Sequence, residues 1–318
     1  MKAKKLFPIL ALALAFTTLS ACTNADYKLT FYPNWCEKPL DNAETVSETL
    51  VYKVEGKNIS APYELAYKNG TYTATLTSTA NGYVYETALS VEVDFGFAVE
   101  TPIVDTVTTR VEFLTSGNAL KPVSSVKSVS SHSPLDVAEP TKAEDCYSEY
   151  KYTIETTYNA DGNANSKVTN PLPETPISTN YDFTYTDDEY TYLDNEQLLL
   201  ALRAISNSTT SGSVNVFSPY VQRVQKVKVT LADATAKDFS YTLNGTPTTS
   251  SIEYRTASLV LDEKNPGGTQ TVWLAKNTVD SSDPNKHVNQ YRNMILYMET
   301  PLAYAFGKLT YTLTSVTR

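Results

Sequence analysis

The chain has 318 residues, of which 41% are hydrophobic and 19% charged, with a formal charge of −9. That apolar fraction supports a packed core and excludes wholesale disorder. An acidic chain without a dense Lys/Arg block is a poor nucleic-acid binder; three cysteines exclude a disulfide-dense scaffold, and two histidines leave little for His-based metal or acid–base sites.

Residues 1–21 open with the basic Lys2, Lys4 and Lys5. They run on through an apolar stretch from Leu6 to Leu19, broken by Pro8, Thr17 and Thr18. A bilayer span takes about 20 apolar residues, so this segment reads as a signal peptide rather than a transmembrane anchor. Its removal takes away three lysines and no acid, moving the formal charge from −9 to −12. The segment Leu19-Ser20-Ala21-Cys22 resembles the bacterial lipobox. The resemblance implies cleavage before Cys22 and a lipid on that residue, which supplies membrane affinity while the body stays in water. By the same likeness, Thr23 stands where an Asp would hold the lipoprotein at the inner membrane of enteric bacteria, which implies an outer-membrane destination. The acidic export tag of some Bacteroidota surface lipoproteins is vestigial in Thr23-Asn24-Ala25-Asp26, so the periplasmic face and the cell surface both stay open.

Two further cysteines, Cys36 and Cys146, allow a single intramolecular disulfide in an oxidising compartment. Two buried thiols are the other reading, because Cys is among the most buried residue types.

Alternation with period 2 recurs along the body, the pattern of half-buried strands. Leu89, Val91, Val93 and Phe95 alternate with Ser90, Glu92 and Asp94; Val107, Val111 and Phe113 alternate with Thr108, Arg110 and Glu112. The same pattern returns at Tyr150–Tyr158, Tyr181–Tyr185 and Leu309–Leu313. Asn69-Gly70 and Asn81-Gly82 fit two-residue type I′ turns, whose central residues need φ > 0. Both place Tyr72, Ala74 and Leu76 on one apolar face, which predicts a three-stranded meander over about 62–97 with Tyr63, Tyr67 and Tyr72 in the core. Residues 116–146 hold Pro122, Pro134, Pro140 and many serines, and read as a linker or long excursion. Asp194 and Gln197 have capping-box spacing, followed by Leu198, Leu199, Leu202 and Ile205 on one helical face. This predicts an amphipathic helix over about 195–206 covering a sheet end or edge. The expected fold is mainly β. It comprises two β-sandwich-like domains (Ig-like or transthyretin-like) at 22–115 and 147–318, with one short helix.

Catalytic signatures are missing. The sequence contains no His-Glu-x-x-His, no Gly-x-Ser-x-Gly and no phosphate-cradling glycine loop. His132, in Ser-Ser-His-Ser-Pro, and His287, in Pro-Asn-Lys-His, read as solvated loop residues. The acids Asp187, Asp188 and Glu189, with Asp194 and Glu196 nearby, read as a solvated loop plus a helix N-terminus, and calcium binding there stays open. Asp161-Gly162-Asn163-Ala164-Asn165 resembles a calcium loop but carries Ser166 and Leu172 where the EF-hand needs Gly and Glu, so a hairpin tip is the better reading. No cofactor is expected. The aromatic content leans to Tyr, 23 against 10 Phe and 2 Trp, and Tyr pairs a stacking ring with a hydrogen-bonding hydroxyl. Trp35, Trp273, Tyr190 and Tyr192 lie near turn-like segments and are the candidate ligand-binding aromatics, with sheet packing as the plainer role.

With its lipobox, β-rich body and lack of catalytic motifs, the sequence resembles the Bacteroidota-type cell-envelope lipoproteins. That resemblance implies one of two roles. The first is a non-catalytic, lipid-anchored binding protein for extracellular ligands, glycans foremost. The second is a fimbrillin-like structural or adhesive subunit, whose terminal strands (Tyr27–Tyr32 or Lys308–Val316) would complete a sibling protein's sheet. The partners expected are the membrane, through the lipid, and either a glycan or sibling envelope proteins.

Overall fold

A computed structural model describes residues 29, 31, 46–60, 65–116, 119–135, 137, 139–160, 162–171, 177–184, 192–219, 223–261, 268–276, 293–302 and 306–318. The first half of the chain forms β1 (Ser47–Lys57), β2 (Ala66–Thr79), β3 (Gly82–Asp94), β4 (Ile103–Ser116), β5 (Ala119–Pro134), β6 (Tyr147–Tyr158), β7 (Asn163–Asn170) and β8 (Ile177–Thr184). The second half forms β9 (Tyr192–Asp194), the helix α1 (Leu198–Leu202), β10 (Ser211–Ser218), β11 (Arg223–Leu231), β12 (Thr235–Leu243), β13 (Thr246–Leu261), β14 (Gln270–Ala275), β15 (Ile295–Pro301) and β16 (Lys308–Thr317). Among the described residues no helix is long and apolar enough to cross a membrane.

The strands do not divide into two sandwiches. They form one sheet in the order β8-β7-β6-β5-β4-β3-β2-β1-β16-β15-β14-β13-β11-β10-β9. Two meanders are thus joined where β1 pairs antiparallel with β16, Val54 opposite Tyr311. The residues expected to form a linker are mostly the 16-residue strand β5, paired with β4 on one side and β6 on the other. Its prolines fit the sheet: Pro122 sits beside a register shift opposite Phe113, and Pro134 ends the strand, the positions where a missing N–H is tolerated.

The sheet coils on itself in a β-barrel-like way. β12 bonds β13 along one edge and β16 along the other, which closes β12–β16 into a ring. At the far end β9 lies against β5, and Phe217 of β10 meets Tyr158 of β6 edge-on at 6.2 Å. One large apolar core fills the concave side, with Leu50 and Val54 of β1, Leu76 of β2, Val91 of β3, Phe113 of β4, Leu259 of β13 and Leu309 of β16 all buried. Fully burying a side chain of this kind is worth about 1.5–3 kcal/mol.

Two turn expectations change. Thr79 pairs with Gly82, so the β2–β3 turn is Ala80-Asn81, one residue earlier than expected. Moving the turn by one residue moves the register by two, so the apolar face is kept: Ala74, Leu76, Leu89 and Val91 are all buried. Asn69-Gly70 is a bulge inside β2 rather than a turn, with Asn69 at φ 52 and the register broken between Lys68 and Thr71. Gly70 is needed there because a Cβ would lie 2.7 Å from both Cβ and the carbonyl oxygen of Val54. Tyr67 is buried as expected, Tyr72 is half-buried against the core, and Tyr63 lies outside the described residues.

The helix begins where expected, with the Asp194–Gln197 capping box formed. A 3-10 turn over Asn195–Gln197 leads into α1, which is five residues long rather than spanning 195–206. It stops early because Asn293 Nδ2 donates to the carbonyl of Arg203 at 2.7 Å and Ile205 bridges to Phe31. Nor is it amphipathic: Leu198, Leu200, Ala201 and Leu202 are all buried, because the helix sits inside the coiled sheet rather than on its edge. The Gly/Asn segment after Tyr158 is a hairpin tip, as expected, closed by Asn159 N–H donating to Asn163 at 2.8 Å.

Candidate functional site

The concave face of β2–β5, the facing strands β14–β16 and the turn into α1 leave a half-enclosed cavity of about 100 Å³ between them. Leu89 of β3, Val107 of β4, Met298 of β15 and Leu198 and Leu199 of α1 form its apolar walls. Tyr72 and Tyr311 complete one side, their rings edge-on at 5.4 Å. The Tyr72 and Tyr85 hydroxyls share a hydrogen bond, and burial raises the pKa of both Tyr72 and Tyr311, so they stay neutral phenols. The hydroxyls of Thr87 and Thr109 satisfy each other at 2.7 Å. They present little unmet polarity to the cavity.

At the rim, Lys127 Nζ of β5 pairs with Glu196 Oε1 at 2.8 Å, their side chains 14% and 13% exposed. Deeper in, Gln270, 2% exposed, donates from Nε2 to Thr300 Oγ1 at 3.1 Å, while its Oε1 is buried with no partner. The cavity is therefore an apolar chamber with a neutralised ion pair at its mouth and one unmet amide oxygen in its wall. Such a space holds a small neutral apolar group.

The helical turn that roofs this cavity is tied down by buried polar groups. Asp194 Oδ1 accepts from the Glu196 N–H at 2.8 Å and its Oδ2 from the Tyr158 hydroxyl at 2.6 Å. Burial first, and the Glu196 charge second, push the Asp194 carboxyl up to about 6 against the opposing pull of Ser125 and Tyr158. Arg203 pairs with Glu48 of β1 at 2.6 Å with both side chains almost fully buried. Burial works against the guanidinium charge, but the Glu48 carboxylate outweighs it and Arg203 holds its proton more firmly than usual.

Of the sequence-predicted ligand aromatics, Trp273 does not line this cavity. Trp273 of β14 lies between Tyr254 of β13, stacked at 4.8 Å, and Tyr297 of β15 at 4.5 Å, with Lys237 Nζ 5.2 Å from the ring centre. Neighbouring strands thus cover both faces of the indole, leaving no open platform for a sugar ring. Tyr192 lies in β9, with its side chain outside the described residues, as are Cys22, Trp35, Cys36, Tyr190, His287 and the acids 187–189. Cys146 is a buried thiol donating to the Lys142 carbonyl at 3.8 Å, and burial raises its pKa. Asp194 and Glu196 point to different partners, and among the described residues no group of three His, Cys, Asp or Glu side chains could hold a metal ion.

His132 is not a loop residue. It lies in β5, where its backbone N–H and Nδ1 both reach Asp105 Oδ1, at 2.9 and 2.6 Å. Asp105 is wholly buried; burial lifts its carboxyl to about 6, against the pull of His132. The two residues come together only through β4–β5 pairing, so no local sequence signal announced them. The same holds for the pair Lys127 and Glu196, and for Gln270.

No family model matches the sequence, and no curated protein matches it. Among solved structures, the chain is similar to a β-barrel-like protein of the domain of unknown function DUF1849 from Brucella abortus, with 13% identity over 85% of this chain and 97% of that one, and a TM-score of 0.49. A likeness at that level carries no argument about activity, and the architecture described above rests on this chain's own strand register.

Proposed function

We propose that the chain is a non-catalytic binding protein of the cell envelope, held at the membrane by a lipid on Cys22, whose ligand places a small apolar group in the cavity beneath α1. The observation that carries this reading is the chamber walled by Leu89, Val107, Leu198, Leu199 and Met298. Buried apolar walls around unfilled space forgo dispersion contacts, which a ligand restores. The lipobox resemblance supports the anchor. Trp273 is flanked by Tyr254 and Tyr297 as part of the sheet face, and the apolar walls of the chamber favour hydrocarbon. Against the structural-subunit reading stands β16, bonded to β1 on one side and to β15 and β12 on the other, so donating it would break open the chain's own sheet.

Saturation-transfer NMR with toluene tests the cavity. The purified chain carrying Cys22→Ser is expected to bind toluene, and Leu199→Trp, which fills the chamber, is expected to abolish binding. No transfer in the parent, or equal transfer in the filled variant, would overturn the reading. The anchor is tested separately: Cys22→Ser is expected to move the protein from the membrane to the soluble fraction, and retention in the membrane would remove the lipid from the proposal.

A further inference from the structure

The cavity wall carries one polar oddity. Gln270, at the start of β14, is 2% exposed, and its Nε2 donates to Thr300 Oγ1 at 3.1 Å. That bond turns the amide so that its oxygen faces away from Thr300. Gln270 lines the cavity, and its Oε1 is buried with no partner. A buried acceptor without a donor loses its hydration and gains nothing in exchange. A site for pure hydrocarbon has no use for an amide where Met or Leu would pack as well. The charges at the mouth cancel, since Lys127 and Glu196 pair with each other, so nothing there selects a charged ligand.

We infer that Gln270 reads a hydrogen-bond donor on the ligand, so that the site takes a neutral alkyl or aryl group bearing a hydroxyl, inserted hydroxyl first. This rests on the binding-protein reading above. The chamber of about 100 Å³ is somewhat smaller than the engineered cavity of about 150 Å³ that binds benzene. It therefore takes the hydroxyl end and a few carbons, and the rest of the ligand leaves past Lys127 and Glu196.

Phenol and toluene, which differ by a hydroxyl in place of a methyl, make the test. A cavity offering the hydroxyl no partner would favour toluene by at least about thirtyfold, because the hydroxyl would lose its water unrewarded. The full chain carrying Cys22→Ser is expected to bind phenol within tenfold of toluene. Gln270→Met, which keeps the length of the side chain and removes the acceptor, is expected to lower the phenol-to-toluene affinity ratio by about tenfold. A preference for toluene beyond tenfold in the parent, or an unchanged ratio in Gln270→Met, overturns the inference while leaving the binding reading intact. Failure of both probes to bind the parent is the failure of the binding reading itself. If Gln270→Met does not fold, the parent's own ratio decides.

Discussion

Asp194 offers the sharpest physical test of how the roof of the cavity is held. Its carboxylate is fully buried, caps the helical turn through the Glu196 N–H and accepts from the Tyr158 hydroxyl, and burial lifts its pKa to about 6. In the unfolded chain the same group titrates near about 3.9. The folded protein therefore binds the proton more tightly than the unfolded chain, and between these two values stability falls as pH rises. The contribution is fully present below pH 4 and gone above pH 6. Two pKa units at about 1.36 kcal/mol each make it roughly 3 kcal/mol. Asp194→Asn keeps a capping oxygen and hydrogen-bonding capacity, since Asn and Asp are comparable N-caps, but does not titrate. Other titrating groups are common to both proteins and cancel in the difference. Urea unfolding at pH 4, 5, 6 and 7, followed by tryptophan fluorescence, should show the variant gaining roughly 3 kcal/mol on the parent from pH 4 to pH 7, the change centred near pH 5. Parallel profiles would refute the reasoning, because they would mean that the Asp194 carboxyl is not desolvated.

Three further outcomes follow from the packing. Arg203→Met alone should cost about 3–5 kcal/mol, leaving Glu48 charged and unpaired inside, whereas the double change with Glu48→Leu should recover most of that loss in the same urea assay. Gly70→Ala should cost about 1–3 kcal/mol, since its Cβ would lie 2.7 Å from Val54, and a neutral effect in thermal unfolding would show that the bulge in β2 yields freely. Trp273→Ala should lower stability by about 3 kcal/mol, the low end for a large aromatic because the ring is half-buried, and should leave toluene binding unchanged. Loss of ligand binding with stability kept would return Trp273 to the role the sequence suggested.

The sequence carried the local features well and the long-range ones poorly, for reasons that individual residues show. Period-2 alternation placed Leu89, Val91, Val93 and Phe95 inside, because a strand's faces are written in consecutive residues. The capping box at Asp194 and Gln197 was readable because its hydrogen bonds span three residues. The pairing of β1 with β16 joins residues more than 250 positions apart, as at Val54 and Tyr311, and nothing in either strand names the other. Without that pair, two sandwiches and one coiled sheet have the same strand pattern. The Ser and Pro that dominate β5 suggest a linker, yet a strand bonded on both edges tolerates Ser, and its prolines stand at a bulge and at the strand end. Gln270, in a short strand, carried no sign of the cavity it faces.

The helix that roofs the cavity makes a wider point about specification. A five-residue helix does not persist in water by itself, since nucleation is costly and isolated helices are marginal below about 12 residues. Its apolar residues are buried or half-buried on every side, so hydrophobic burial drives it inward without choosing one orientation. The choice falls to polar groups at its two ends. Asp194 binds Tyr158 on β6, Glu196 binds Lys127 on β5, Arg203 binds Glu48 on β1, and the Arg203 carbonyl accepts from Asn293 just before β15. Each tie carries a desolvation cost, and an all-apolar core would be as stable or more so. Rotating or sliding the helix would break several of them at once and strand buried charges. The ties therefore act less as stabilisers than as a register, fixing the face of α1 that presents Leu198 and Leu199 to the cavity. Removing the Arg203–Glu48 pair as a unit is then expected to leave stability nearly intact while weakening toluene binding, and unaltered binding in that double variant would assign the register to the apolar contacts instead.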